Sequence, residues 1–354
     1  MLTSTAAEQF DQMELSKNVS QLIRSNAPHY WAYMKHQADL ARLKPYLSFR
    51  GTIGGDPHMG NFAALPLNSV GGPRRMKFVN VDFDDAGRGP FVLDLVRYLV
   101  AVKAITKQIK KRHVEKSYFA GLAGKELDPP REVRALLAMP VSHYDEMVTK
   151  YAEKKSSKHG FELKAGEIEA YNAKIDRSTI ERLFANERVI DLAVRPVERG
   201  GSLGQLRIWA LVQDKNSRRR IVELKQCAKP ATGNYQTQPS AHEWLSEVRQ
   251  AFWPGLDGSA YELIELVGAG LFWIREKRVS LIELPYSSTK SSDIAFMEDL
   301  AMYDANLLGL AHGRQAQAVP YYDTVKSDTE AFHDATEAVA KAYLVVARES
   351  FLDK

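Results

Sequence analysis

The sequence predicts an α+β fold in which a helical lobe is interrupted by a small antiparallel β lobe. Apolar positions recur at three- and four-residue spacing near both ends of the chain, whereas an alternating strand pattern occupies residues 189–225. The 354 residues are too many for one small core and enough for two lobes. We expect a helical lobe over 1–187, a β-rich lobe over 188–285, and helices over 286–354 that return to the first lobe.

The first half of the chain is predicted to be mainly helical, with one hairpin. Residues 5–45 carry helical spacing. NFAALPL and MKFVNVDF predict a strand pair, because the intervening NSVGGPRR is rich in turn residues. Helical periodicity resumes over 90–123, where Pro90 suits a first helical turn. Two or three further helices are expected within 130–187, with EKKSSKHG (153–160) as a loop.

The second half begins with the strand pattern. RVIDLAVRPVE, LRIWALVQ and RRIVELKQ predict three strands, and DKNSRRR predicts the hairpin tip between the last two. PSAHEWLSEVRQAFW predicts a helix that Ser240 caps, with Glu243 three residues later as a capping box requires. YELIELVG and GLFWIREK predict two more strands, and residues 292–313 and 327–351 predict closing helices.

Composition excludes several classes of protein. The net charge of +4 permits an anionic ligand, but aromatic residues do not interleave with the basic runs, so nucleic-acid binding is not expected. KQIKKRHVEK and SRRR are interpreted as a solvated helix face and a hairpin tip. The single cysteine, Cys227, excludes an internal disulfide and a cysteine-based zinc site. With no signal-peptide pattern or bilayer-length apolar run, we expect a cytoplasmic protein without a membrane partner.

Two segments concentrate the polar groups from which a site is predicted. GGDPHMGNF places Asp56, His58 and Asn61 close together. VNVDFDD places Asp82 and Asp84 two residues apart, so we expect them to share a face if this segment is a strand. The predicted hairpin would bring the two segments together. Carboxylate and amide oxygens with room for water suit Mg²⁺ that bridges phosphates. A remaining carboxylate can accept or orient the proton of a hydroxyl group.

The β lobe is predicted to supply the opposite wall of this site. The segment RGGSLGQ contributes Gly200, Gly201, Ser202 and Gly204. It is either an ordinary hairpin turn or a loop whose glycines let backbone N–H groups approach phosphate oxygens. Two strands further on, Lys225 shares a strand face with Glu223 and is either a surface lysine or a phosphate contact.

These segments resemble phosphotransferase motifs. GDPHMGN resembles the HGDxHxxN motif of aminoglycoside phosphotransferases and related kinase-like enzymes, although Gly54-Gly55 stand where that motif has His-Gly. VNVDFDDAGRGPFVLDL resembles the metal-binding segment that follows it. The glycine loop, lysine strand and helix resemble a protein-kinase N-lobe, but they come after the catalytic segment. That order, with FRGTIGGDPHMGNF, GGSLGQLR and LGLAHGRQA, resembles the bacterial family called domain of unknown function 2252 over residues 45–315. The resemblance implies a circularly permuted, kinase-like two-lobe fold.

The resemblance implies a role for each matching residue. Asp56 matches the catalytic-base aspartate. Asn61 and Asp82 match the residues that hold Mg²⁺, and Lys225 matches the lysine that contacts the α- and β-phosphates of ATP. Asp94 resembles a buried aspartate that braces the catalytic loop from a helix.

Several assignments stay open. Asp84 is a second metal ligand or a hydrogen-bonding support, and His58 supports the loop or contacts substrate. The carboxylate partner of Lys225 is Glu243 or Glu247, and because the capping box occupies Glu243, Glu247 is favoured. Five further cations can face the cleft or its phosphates: Arg50, Arg207, Arg275, His312 and Arg314.

We therefore expect a Mg·ATP-dependent phosphotransferase whose acceptor is an unidentified hydroxyl on a small molecule or a protein. Transfer of AMP by the same fold is a variant. A nucleotide-binding pseudokinase without chemistry is the main alternative. A metal-dependent phosphoesterase is a weaker one, because it needs clustered histidines and the nine histidines here are scattered. The sequence gives neither the acceptor nor the oligomeric state.

Overall fold

A computed structural model of the chain has the predicted mixed α+β class, with helices on either side of a β-rich segment. It describes residues 19–36, 38–105, 108–184, 186–196, 204–258, 261–277, 279–285 and 290–351. The helices are α1 (Val19–Arg24), α2 (Ala27–His36), α3 (Phe91–Ile105), α4 (Lys111–Leu122), α5 (Arg131–Leu137), α6 (Val141–Lys154), α7 (Arg177–Glu181), α8 (Ala241–Phe252), α9 (Ser291–Gly313), α10 (Ala318–Ser327) and α11 (Thr329–Phe351).

The strands form one large sheet and three small ones. They are β1 (Arg50–Ile53), β2 (Phe62–Asn68), β3 (Arg74–Asn80), β4 (Gly87–Pro90), β5 (Ser156–Ser157), β6 (Gly160–Phe161), β7 (Glu169–Ala170), β8 (Arg188–Val194), β9 (Arg207–Gln213), β10 (Arg219–Gln226), β11 (Glu262–Leu266) and β12 (Gly270–Glu276). Short 3₁₀ turns cover Ala38–Tyr46, Met59–Asn61, Arg182–Phe184 and Ala231–Asn234.

The large sheet is antiparallel, with strand order β11-β12-β10-β9-β8-β7. In strand β10, successive side chains point to opposite faces of the sheet. Val222 and Leu224 are buried in an apolar core with Ile180 of α7. Glu223 and Lys225, which alternate with them, therefore lie on the opposite face. The predicted common face of these two residues is confirmed.

Two small ladders bring the acidic segments together. Ile53 at the end of β1 pairs with Gly87 at the start of β4. Phe62 at the start of β2 pairs with Asn80 at the end of β3. The loop 54–61 and the segment 81–86 therefore run side by side between the same two ladders.

Helix α3 is the centre of the helical core. Its residues from Phe91 to Val102 are all buried, including the charged Asp94 and Arg97. Burying charge is costly unless each charge has a partner, so both residues need contacts from neighbouring elements. The loop 54–61 supplies contacts to both residues, as described below.

Most predicted elements are confirmed, with differences at their ends. The β2–β3 hairpin, strands β8–β12 and the Ser240–Glu243 capping box are present. The helical prediction for 5–45 is replaced by α1, α2 and a 3₁₀ turn, and its residues 5–18 lie outside the described residues. Pro90 ends β4 instead of starting a helix, and α10 was not predicted. Among the described helices, none has the length and apolar character needed to cross a bilayer.

Candidate functional site

The backbone of the loop 54–61 is held by side chains of the helical core. The amide of Gly54 donates to Oδ2 of Asp94 over 2.9 Å, and the amide of Gly55 donates to Oδ1 over 2.9 Å. Trp31 of α2 donates its Nε1–H to the carbonyl of Gly55 over 2.6 Å. Asp94 is fully buried, so these bonds are shielded from water. The predicted bracing role of Asp94 is confirmed.

The side chain of Asp56 is held from the same helix. Arg97, which is fully buried, donates to Oδ1 of Asp56 from Nε over 2.9 Å and from Nη2 over 2.6 Å. Arg97 lies three residues after Asp94, so both face the loop from one side of α3. The other oxygen, Oδ2, lies 3.7 Å from Nε2 of His58. Asp56 thus has one oxygen fixed by Arg97 and one without an Arg97 contact.

The sequence analysis missed Arg97, although a signal for it exists. FVLDLVRYLVAV is an apolar helix that contains two opposite charges one turn apart. A charge on such a helix must find a buried partner.

Asn61 and the segment 81–86 complete the acidic wall of the site. The side-chain amide of Asn61 donates to the carbonyl of Asp56 over 2.9 Å, and its Oδ1 has no hydrogen-bond donor among the described residues. The amide of Val81 donates to the carbonyl of Asn61 over 2.9 Å, so the two segments are joined directly. Asp82 follows at once, and its Oδ1 lies 3.7 Å from Nη1 of Arg275 in the sheet.

Asp84 connects the acidic wall to the sheet. Its Oδ2 accepts a hydrogen bond from Lys225 of β10, and its Oδ1 accepts one from the hydroxyl of Tyr261. Lys225 is only 5% exposed, so this ion pair is largely shielded from water. Of the two open roles for Asp84, the structure shows the hydrogen-bonding support.

The prediction that Glu247 of α8 pairs with Lys225 is wrong. Both carboxylate oxygens of Glu247 bind Arg88 of β4, with Nε to Oε2 at 3.0 Å. Glu243 is occupied by the capping box with Ser240. Lys225 therefore meets Asp84 across the cleft instead of a glutamate on the helix.

Beside Lys225, the sheet carries a group of arginines around the buried Glu223. Arg275 donates to Oε2 of Glu223 over 3.1 Å, Trp209 donates to Oε1 over 3.1 Å, and Nη1 of Arg207 lies 3.6 Å from Oε1. Burial acts to raise the pKa of Glu223, but Arg275, Lys277 and Arg207 hold that pKa well below its usual range. This face of the sheet thus keeps an ionised carboxylate among several cations.

The two walls enclose a cavity of about 170 Å³. It is lined by Arg24, Pro28, Asp56, His58, Asn61, Asp82, Asp84, Asp85, Gln205, Arg207, Lys225, Gln226, Ala228, Lys229 and Trp273. The structure thereby brings together the predicted residues Asp56, His58, Asn61, Asp82, Asp84 and Lys225. Gly200, Gly201 and Ser202 lie outside the described residues, whereas Gly204 is exposed with φ +78°.

A second cavity of about 480 Å³ adjoins the first at Arg24, which lines both. One of its walls is the segment from Met59 to Ala64, which continues the loop 54–61. Another is the segment 279–284, which follows the last strand of the sheet. Apolar side chains from both segments give its lining a larger apolar share than that of the first cavity, so this cavity suits a less polar group than the first one does.

His58 and Asp85, which line the first cavity, have shifted pKa values. Burial lowers the pKa of His58 to about 4, so its imidazole is neutral near pH 7. Burial and the neighbouring Asp56 carboxylate raise the pKa of Asp85 to about 7, although the Ala231 amide bonded to Oδ1 of Asp85 opposes this. A neutral His58 suits loop support better than it suits charge donation.

A cluster of histidines and acids of the kind used by phosphoesterases is not assembled in the part of the chain that the structure describes. There, no group of three or more His, Cys, Asp and Glu side chains is arranged to hold a metal ion. The acids and the amide of Asn61 in the first cavity instead form a sparse set of oxygen ligands. Such a set suits a cation whose remaining ligands come from water or phosphate.

Residues 32–123 match the model of a family described as "Uncharacterized protein conserved in bacteria (DUF2252)". This segment, about a quarter of the chain, includes the loop 54–61, Asp82, Asp94 and Arg97. The match supports the resemblance to that bacterial family. No curated protein and no solved structure matches the chain.

Proposed function

We propose that the chain is a Mg·ATP-dependent phosphotransferase with a circularly permuted, kinase-like architecture. The observation that carries the proposal is that Asp56, Asn61, Asp82 and Lys225 line one cavity. Lys225 comes from a sheet that follows the acids by about 140 residues, yet its ammonium reaches their wall. A lysine facing an aspartate and an asparagine is the set that kinases use to place a triphosphate and its metal.

The elements around Lys225 support the same architecture. In the sequence, the glycine-rich segment lies between β8 and β9. Strand β10 carries Lys225, and α8 and the β11–β12 hairpin follow in turn. Protein kinases arrange a glycine loop, a lysine strand and a helix in this succession.

The residues on the acidic wall fit Mg²⁺. The Asn61 amide has its N–H engaged by Asp56 and its oxygen available, and the Asp82 carboxylate follows on the adjoining segment. These two side chains would hold the ion, and the ion would supply positive charge that offsets the negative charge of a triphosphate. Asp84 would join them only after Lys225 leaves it.

The roles of the remaining residues follow from their positions. Arg97 fixes Oδ1 of Asp56, so Oδ2 is the atom that would orient an acceptor hydroxyl. Lys225 would exchange the Asp84 carboxylate for phosphate oxygens. The first cavity has room for part of a nucleotide, and the adjoining cavity of about 480 Å³ would take the nucleoside. Catalysis would then rest on positioning and charge neutralisation.

A thermal-shift titration with Mg·ATP tests nucleotide binding. Wild type is expected to be stabilised as ATP rises through its Kd, because ATP binds only the folded state. Lys225→Ala should lose most of this shift, whereas Lys215→Ala at the exposed β9–β10 tip should keep it. Equal shifts in all three proteins, or no shift in wild type, would contradict the proposal.

A nucleotide-binding protein without transfer activity is the second candidate. The observation that favours it is that Lys225 and Glu247 are each engaged by other residues, Asp84 and Arg88. Asp56→Asn separates the two candidates, because the amide oxygen can still accept from Arg97 while the carboxylate is lost. A phosphotransferase should bind Mg·ATP as before and lose about 10²–10⁴-fold of its ATP turnover. A wild type that binds Mg·ATP and turns none over, with water or any hydroxyl acceptor, would favour the second candidate.

Transfer of AMP is a variant of the first candidate, because it requires only that ATP bind in the opposite direction. Isotope-labelled ATP distinguishes the two reactions. Label at the γ-phosphate marks the product of phosphoryl transfer, and label at the α-phosphate marks the product of AMP transfer.

A further inference from the structure

A buried histidine far along the chain contacts the residue that braces the loop 54–61. Nε2 of His312, on α9, lies 3.2 Å from Oδ2 of Asp94, and both side chains are fully buried. That same oxygen accepts the amide of Gly54, while Oδ1 accepts the amide of Gly55. Helix α9 follows the sheet in the chain, so a segment from the far side of the β lobe reaches the support of the loop.

The orientation of the His312 ring is fixed on three sides. Its Nδ1 lies 2.7 Å from the hydroxyl of Tyr118, and the ring stacks on Phe91 with centroids 4.7 Å apart and planes 23° apart. Phe252 approaches it edge-on at 6.3 Å. Because the Asp94 carboxylate accepts hydrogen bonds, Nε2 is the nitrogen that donates to it, while Nδ1 faces the Tyr118 hydroxyl.

The environment of Gly54 limits the size of the side chain that this position could carry. A Cβ atom at Gly54 would lie 3.6 Å from Oδ2 of Asp94 and 3.6 Å from the Phe252 ring. A methyl group would therefore fit, but Asp94 and Phe252, both neighbours of His312, limit the room beyond it. The imidazole that meets Asp94 is supplied by His312, and the loop itself carries none at position 54.

We propose that His312 is a positioning residue for Asp56. It holds the Asp94 carboxylate in the orientation that binds the amides of Gly54 and Gly55, and those two residues lead directly into Asp56. Without the imidazole, Asp94 would lose one of its three partners and be freer to rotate away from the loop. The catalytic part of this inference rests on the proposed phosphotransferase function, whereas its structural part does not.

Hydrogen exchange of the peptide covering residues 50–62 tests the structural part. His312→Ala should exchange the amides of Gly54 and Gly55 at least tenfold faster than wild type. His333→Ala is the matched control, because His333 also contacts a buried carboxylate, Glu115, in the helical core. Within the described residues His333 has no hydrogen bond to the loop, so this variant should leave the peptide unchanged. Equal acceleration in both variants, or none in His312→Ala, overturns the proposal.

Kinetics of Mg·ATP turnover test the catalytic part. His312→Ala should lower kcat by about 10–100-fold with KM for ATP within about twofold, because misplacing Asp56 affects reaction geometry and leaves the phosphate contacts intact. His312→Gln, which can still donate to Asp94, should recover most of kcat. A kcat for His312→Ala equal to that of His333→Ala overturns the proposal.

Two further outcomes are distinguishable. If His312→Ala does not fold, Tyr118→Phe is used, since it removes only the hydroxyl that meets Nδ1. It should accelerate exchange in the same direction by a smaller factor, and no acceleration overturns the proposal. If wild type neither binds nor turns over Mg·ATP, the proposed function fails, while the exchange comparison still decides whether His312 positions the loop.

Discussion

The two walls of the candidate site are built by different kinds of contact. The loop 54–61 is held by fully buried groups, namely Asp94 on two backbone amides and Arg97 on Asp56. The sheet wall is held by ion pairs between side chains on different elements, such as Lys225 with Asp84 and Arg275 with Glu223. Backbone contacts and a buried ion pair inside the apolar core fix the geometry of the loop, whereas the ion pairs of the sheet wall line the cavity and can exchange partners when an anionic ligand enters.

This difference indicates which part of the candidate site has its geometry before a ligand binds. The loop that carries Asp56 is set before any ligand binds, because its contacts involve no group that a nucleotide would displace. Lys225 is set against Asp84, a contact that phosphate and metal would replace under the proposed function. We therefore expect changes under the loop to affect folding strongly and changes on the sheet wall to affect mainly binding.

The largest expected loss of stability is at Arg97. Arg97→Met removes the partner of Asp56 and leaves a carboxylate that is 9% exposed without its cation. Breaking a buried pair in this way costs about 3–5 kcal/mol. Urea denaturation of wild type and variant measures the loss.

The control for Arg97 is Arg112→Met. Arg112 pairs with Glu330, and the two side chains are 64% and 68% exposed. Surface pairs of this kind contribute about 0–1 kcal/mol. Equal denaturation midpoints for Arg97→Met and Arg112→Met would mean that the Arg97–Asp56 contact does not hold the loop.

The next largest expected difference in stability is between alanine substitutions at two adjacent glycines. Gly55 has φ +77°, and a Cβ there would collide with the backbone carbonyl of Asp85. Gly55→Ala should therefore lose about 1–2 kcal/mol from the left-handed backbone alone, and more from the displacement of the segment 81–86. Gly54→Ala, whose Cβ meets nothing closer than 3.6 Å, should lose less stability than Gly55→Ala, because it has neither the collision nor the strained backbone. Thermal unfolding of both variants measures the contrast, and equal losses would contradict it.

The pKa of Asp85 predicts a smaller, pH-dependent effect. Its pKa is raised from the usual 3.8 to about 7, so between these values the folded chain keeps a proton that the unfolded chain releases. Stability should therefore fall as pH rises from 4 to 7. Asp85→Asn removes this dependence, so the stability of wild type relative to the variant should decrease across that window in denaturation experiments.

His58 provides a control of opposite sign. Its pKa is lowered from 6.5 to about 4, so the unfolded chain binds the extra proton first as pH falls. Its contribution to stability is therefore present above pH 6.5 and is lost as pH falls towards 4. Relative to His58→Gln, wild type should gain stability as pH rises through that window. Parallel slopes for the Asp85 and His58 comparisons would show that burial does not set these two pKa values.

The sequence predicted the parts of the fold that depend on local pattern. Strands β8–β10 follow from alternation, and α8 follows from its capping box. The meeting of Asp56, Asn61 and Asp82 follows from one hairpin, since β2 and β3 lead directly from and into the two acidic segments. Strands of two residues, such as β5 and β7, are too short to leave a periodic signal.

The supporting contacts could not be predicted in the same way. His312 follows the β lobe in the chain, yet it contacts Asp94 in the helical core. Nothing in the sequence around His312 indicates whether it would lie beside the loop 54–61 or beside the sheet. The partner of Glu247 was predicted wrongly. The sequence shows two glutamates in α8, one of which forms the capping box, so Glu247 was the one left for Lys225. Nothing in the sequence indicates that Arg88 on β4 lies nearer to Glu247 than Lys225 does. Such choices depend on distances between elements that only the folded chain sets.

The smallest expected effect is therefore at Glu247. The Arg88 and Glu247 side chains are 54% and 31% exposed, so Glu247→Ala should change stability by about 0–1 kcal/mol. Since Glu247 does not contact Lys225, the thermal shift produced by Mg·ATP should match that of wild type. The comparison variant is Asp84→Asn, which weakens the contact that orients Lys225. Its thermal shift with Mg·ATP should therefore differ from that of wild type. If Glu247→Ala instead loses the shift as Lys225→Ala does, α8 must move to meet Lys225 when nucleotide binds. The sheet wall would then be set by the ligand and not by Asp84.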